Sequence, residues 1–443
     1  TLTNADGAFA AINAGVLTGN TTLLITGNIS GELGTNALLQ WTEVGGSGYT
    51  LTIKPQNAST TISGDKDLVT GLIYLNGADR VTIDGSISGG TDKNLTISNT
   101  NTSGSVIGLQ NNATSNTIKN CILQGVAVSL TRAVLYIGTT ASGTEGNSNN
   151  IINNNDITKG STSPANCIYN FGNITAKNTN NIFSSNRISD FSSKGIFDGG
   201  SSASCIYTGN EIYQNANQSN DLIGFNPNSP TIDGFTFTRN HIHDLKTTST
   251  GFIYGIHLTD ISAIDTGRII NNVISLSETA PLTVYGIYDQ SVINKKYQIY
   301  YNSVYLGGSV TGSSNSRTYN WANASLSVVK NNIFTNARTG GTGKHYAIAF
   351  NTSYSSINCD YNNIYSTGGT ANVFGLDGST DRTTLTAWKT AVGKDASSIN
   401  ANPGFSSTTT LTIDASSQNA WNVSGMGQPI SNIDFDFNNT SRS

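Results

Sequence analysis

Aliphatic, aromatic and threonine residues alternate with polar ones in short runs along most of the chain, and asparagine, glycine and serine break the runs. Thr117-Ile118-Lys119-Asn120-Cys121-Ile122, Phe237-Thr238-Arg239-Asn240-His241-Ile242 and Ile299-Tyr300-Tyr301-Asn302-Ser303-Val304 are typical. A period of two predicts half-buried β-strands, and no helix-length period of 3.6 separates them. A second strand signal recurs between these runs, at Val134–Ile137, Cys167–Tyr169, Gly195–Phe197, Leu222–Phe225, Tyr254–Ile256, Tyr285–Tyr288 and Ala347–Phe350. Nine asparagines mark the repeat: Asn120, Asn155, Asn186, Asn210, Asn240, Asn272, Asn302, Asn331 and Asn362. Each is followed two residues later by an aliphatic: Ile122, Ile157, Ile188, Ile212, Ile242, Ile274, Val304, Ile333 and Ile364.

The markers recur about every 30 residues, with two or three strands in each interval, and this predicts an all-β parallel β-helix solenoid of roughly 13 coils. The asparagine is expected where a turn enters a strand, a place where Asn tolerates the left-handed conformation. Its amide can bond the Asn of the neighbouring coil and form a structural ladder, while the following aliphatic fills the core. One domain over residues 1–443 is expected: a cap and first coils in 1–50, regular coils in 51–365, and a C-terminal shoulder and cap in 366–443. Short capping helices are predicted near each end. The first spans 6–15, with Asp6 as N-cap and Gly15 as stop, and the second spans 384–393, with Leu385, Trp388 and Val392 on one face. Strands are expected again at 410–414 and 433–437.

Composition narrows the reading. Hydrophobic residues make up 36% of the chain and are periodic, so an Asn/Ser/Thr-rich sequence is not read as disordered. Net charge is −4 without a basic cluster, which argues against nucleic acid and an anionic membrane surface as partners. No apolar run reaches membrane length, so no membrane insertion is expected. Because the chain opens at Thr1, removal of an export signal is expected, and with it a secreted or cell-surface location. The four cysteines fall at different places relative to the markers and are expected as buried small hydrophobes.

Leu51–Pro55, Leu72–Gly85, Leu385–Ile399 and Asn402–Phe405 together resemble secreted right-handed parallel β-helix proteins of the pectate-lyase-like superfold. Similar patterns occur in surface proteins of Bacteroidetes-type bacteria. The resemblance implies the fold and export, with a C-terminal sorting domain beyond Ser443, but no single activity, because this superfold hosts lyases, hydrolases, adhesins and inert stalks.

Lyase or hydrolase chemistry on such a scaffold needs converging carboxylates. The outward column after each marker instead alternates in charge: Asp156, Arg187, Glu211, His241. Three of the four histidines lie within 17 residues. His241 and His243 share one side of a strand and could hold a metal or act as an acid/base pair, but a solvated ladder is the preferred reading. No catalytic residue, metal or cofactor is therefore expected; an enzyme would use Glu211, His241, His243 and Asp260. Tyr213, His243, Tyr305, Phe334 and Tyr365 are expected to form an aromatic strip suited to sugar rings. The expected function is a non-catalytic structural or adhesive surface protein, whose partners are itself, by end-to-end assembly, or surface glycans. The alternatives are a polysaccharide lyase or glycoside hydrolase, and a carbohydrate-binding β-helix.

Overall fold

The computed structural model describes residues 1–141, 145–262, 264–292, 294–351 and 354–442. It is an all-β parallel β-helix of about 12 turns of about 30 residues, with two α-helices. The count falls one short of the expectation because residues beyond 400 form no coil of their own. The chain divides into two compact units, Thr1–Asn210 and Glu211–Ser443. Within each, successive coils stack their strands into three parallel sheets. One coil of the second unit shows the order: Thr266–Ile270 on a first face, Val273–Leu276 on a second, Thr283–Asp289 on a third.

A buried amide ladder occupies the corner between the first and second faces. In the second unit the backbone N–H groups of Asn272, Asn302 and Asn332 each donate to the side-chain oxygen of the Asn in the next coil, all at 3.0 Å. The Asn302 amide nitrogen donates to the Ile269 carbonyl at 2.9 Å, so one side chain satisfies main-chain groups of two other residues. Ser398 ends this ladder by accepting from the Asn362 N–H. In the first unit Cys121, Asn155 and Asn186 donate to Asn155, Asn186 and Asn210 in the same way. Two further ladders run there at other corners, through Asn116, Asn150 and Asn181 and through Asn147 and Asn178.

The structure corrects the expected register at two coils. Asn120 and Asn331 stand one residue before the ladder, whose rungs there are Cys121 and Asn332. Left-handed conformation belongs to this preceding position: Asn120, Asn154, Asn271, Tyr301, Asn331 and Tyr361 have φ between 52° and 60°. Ladder asparagines are therefore chosen for their amides, not for tolerance of positive φ. With the slip removed, Leu123 and Phe334 fill the core, and Ile122 and Ile333 face outward, half-buried. The other expected aliphatics, from Ile157 to Ile364, are fully buried. All four cysteines are buried thiols.

Both helices form. α1 (Ala8–Ala14) buries Phe9 and Ile12; its N-cap is Gly7, without a side-chain cap, rather than Asp6. α2 (Leu385–Val392) is capped by the Thr384 hydroxyl, ends at left-handed Gly393, and buries Trp388 and Val392. Trp388 donates to Asp395, whose other oxygen holds Ser398, so α2 and the ladder's last rung share one carboxylate. The strands expected at 410–414 and 433–437 are instead single bridges, Phe405 with Ile413 and Phe435 with Ser441. This tail lies back over the ladder corner of its own unit. Gln428 bonds Asn331 through its N–H and carbonyl, Phe435 accepts from Asn271, and the Arg442 guanidinium sits 3.8 Å from the Tyr301 ring centre.

Two predictions follow from these contacts. Asn302→Ala orphans buried main-chain groups and should cost about 2–4 kcal/mol by urea denaturation. Asn331→Gly, off the ladder and free to keep the left-handed φ, should cost about 1 kcal/mol or less; equal costs would refute the assigned register. Second, burial pushes Asp198 up to about 7 and Asp289 up to about 6, against the hydroxyls and amides that bond them. The folded state then keeps protons that the unfolded chain releases above roughly pH 4. These groups therefore lower stability as pH rises from about 4 to about 7. Asp198→Asn should lessen the decline of Tm over that range, measured against the unsubstituted protein.

Candidate functional site

Glu211 opens the strand Glu211–Tyr213, and His241 opens its register partner His241–His243 one coil on, with Glu211 directly opposite His241. Period-two alternation sends Ile212 and Ile242 into the core and turns Glu211, Tyr213, His241 and His243 outward. The Glu211 carboxylate reaches diagonally to His243 Nε2 at 3.2 Å, and Asp244 lies against Nδ1 of the same ring at 2.9 Å. Tyr213 stacks parallel on His243 with centroids 5.3 Å apart, and the two imidazoles lie 4.3 Å apart. His241 Nε2 bonds the Thr409 carbonyl at 3.0 Å, so the tail also reaches this cluster. Burial lowers the pKa of His241, and neighbouring His243 lowers it further. Burial also opposes charge on His243, but the bonds to Glu211 and Asp244 outweigh it and the pKa rises.

The structure thus gathers Glu211, His241 and His243. Asp260 is not with them, because it follows the strand Phe252–Leu258 on the third face. The charged column forms in part: Asp156 and Arg187 are register neighbours, and Asp156 pairs with Lys93 at 2.6 Å.

The expected aromatic strip is broken. Phe334 is fully buried and stacks on Tyr319 inside the core. Tyr305 and Tyr365 face outward, but Thr335 stands between them in register. A denser array of rings occurs instead on the third face of the second unit. Phe252, Tyr254 and His257 lie on one strand, Tyr285 and Tyr288 on the next. Tyr254 stacks on His257 at 4.5 Å and on Tyr285 at 5.1 Å, and Tyr285 stacks on Tyr288 at 4.6 Å. Residues three apart in a regular strand face opposite sides. Here Gly255 and Gly286 drop out of the pairing between their flanking residues, which brings Tyr254 and His257, and likewise Tyr285 and Tyr288, to one side. A Cβ on Gly255 would lie 2.6 Å from the Gly286 carbonyl oxygen. Arg317 follows Tyr285 in register, its guanidinium 5.8 Å from the ring centre, and donates to Asn320. The Tyr-Gly-Ile pattern at 254–256 and 285–287 was the sequence signal for this terrace. The first unit has its own cluster on the third face, where Tyr169 stacks on Phe197 at 4.6 Å and meets Tyr136 edge-on.

No protein-family model and no curated protein matches the chain. Among solved structures, two of PfbA, a surface adhesin of Streptococcus pneumoniae, are similar at 11% and 13% identity. They cover 76% and 77% of this chain and 83% and 93% of their own, with TM-scores of 0.36 and 0.39. The parallel β-helix stands on the strand register of the present chain.

Proposed function

We propose that this chain is an extracellular adhesive β-helix protein that acts by binding and not by catalysis. It grips carbohydrate on the third-face terrace of Phe252, Tyr254, His257, Tyr285 and Tyr288. The terrace is the observation that carries this reading. Phe252 is exposed and Tyr254, His257 and Tyr288 are half-buried around a buried Tyr285, so the stack shows ring edges and the open Phe252 to solvent, while Arg317 and Gln290 border it with hydrogen-bonding groups. Sugars combine apolar ring faces with polar edges, and such a surface matches both. Export of the Bacteroidetes type and descent from the pectate-lyase-like superfold belong to the same reading. Self-association through the end coils is less favoured. Trp388 of α2 and the antiparallel strand Thr380–Arg382 lie against Asn372–Asp377, where a further copy would have to add.

The test is retention of the purified protein on a panel of polysaccharides, with product release measured in parallel. Tyr254→Ala and Tyr285→Ala should each weaken retention by about 1–2 kcal/mol, and Gly286→Ala should weaken it through the geometry of the terrace. Retention unchanged by all three would remove the terrace from the proposal. Turnover of any polysaccharide, lost in His243→Ala, would replace adhesion by the enzyme reading.

A further inference from the structure

We infer that Glu211, His241 and His243 form a binding site for a divalent first-row transition ion, of which Zn²⁺ is the representative. The inference is independent of the sugar-binding reading, since the cluster lies on another face. One ligand atom from each of the three residues lies within 4.8 Å of the others. In a tetrahedral site with metal–ligand bonds of 2.0–2.1 Å, ligand atoms stand about 3.3 Å apart. His243 Nε2 and Glu211 Oε1, at 3.2 Å, already span such an edge. His241 supplies the third ligand, with its ligand atom within 4.8 Å of the other two.

The surrounding contacts separate this cluster from an ordinary surface ion pair. Metal-bound imidazoles usually donate their other N–H to a carboxylate or a main-chain carbonyl, which fixes ring orientation and tautomer. Both arrangements are present. Asp244 Oδ2 accepts from His243 Nδ1 at 2.9 Å, directing Nε2 to Glu211. The Thr409 carbonyl accepts from His241 Nε2 at 3.0 Å, leaving Nδ1 for an ion. Tyr213, parallel to the His243 ring within 2°, limits its rotation. Two imidazoles and one carboxylate suit zinc, copper(II) or nickel(II) rather than calcium or magnesium, which prefer oxygen alone. Three protein ligands leave a fourth position open to water. The ion takes the place of the proton between His243 Nε2 and Glu211.

Calorimetric titration of the full chain with ZnCl₂ at neutral pH tests this, with Co²⁺ absorption reporting coordination number. One ion per chain is expected, with a four-coordinate cobalt spectrum. His243→Ala and Glu211→Gln should each weaken binding at least tenfold, and Asp244→Asn by about 10–100-fold without altering the ligand count. Asp260→Asn, beyond the third-face strand Phe252–Leu258, should leave ion binding unaltered. Glu211 is partly exposed, so its conservative variant reads out binding even if His243→Ala misfolds. Weak binding of several ions, unaltered by these substitutions, would overturn the site, as would a six-coordinate cobalt spectrum or no heat at all.

Discussion

A main-chain N–H buried at a coil corner has no strand to pair with, and leaving it unpaired costs about 1–3 kcal/mol. That constraint organises this molecule. Asparagine meets it where other side chains do not: its oxygen accepts from the coil before, and its nitrogen reaches a carbonyl in the adjoining strand. Serine takes the place at Ser398, where the ladder stops and the hydroxyl donates to Asp395. The rungs fix the register of the coils they join, and register decides which residues face solvent. Position of the functional side chains is therefore a consequence of the ladder, through alternation outward from each rung.

This dependence explains what the sequence disclosed and what it concealed. The repeat, the fold class and both helices are legible, because periodicity and capping residues are local signals. The slip at Asn331 arises because Asn331-Asn332-Ile333 offers two asparagines, and the aliphatic rule selected the wrong one. Equal spacing settles it: Asn332 lies 30 residues from Asn302 and 30 from Asn362. Tyr301-Asn302 and Tyr361-Asn362 also show that the residue before a rung takes the left-handed conformation. From that one-residue error followed the misplacement of Phe334, which belongs to the core.

The aromatic terrace was hidden for a different reason. Strict alternation puts Tyr254 and His257 on opposite sides, and the repeated Tyr-Gly-Ile pattern takes its meaning from the close approach of its glycines between coils, which shows the bulge that unites the rings. By contrast, the Glu211, His241 and His243 cluster obeys alternation and was readable, whereas Asp260 depended on which face follows a turn. The two candidate surfaces thus draw on different devices. One uses regular strands, with diagonal contacts between coils. The other uses an irregularity repeated in register, and is correspondingly sensitive to the smallest side chain added at its hinge.

The ladder has one further consequence, for how such a chain changes over generations. Rung-to-rung distances run from 24 residues between Asn186 and Asn210 to 36 between Asn362 and Ser398, yet the main-chain N–H bonds at both steps are 2.9–3.0 Å long. Corner bonding is thus indifferent to the length of the loops it bypasses. Insertions and deletions in those loops can accumulate without disturbing a rung, and duplication of a whole coil reproduces every rung it copies. Inheritance can remodel the exposed surface freely while the scaffold beneath it stays the same.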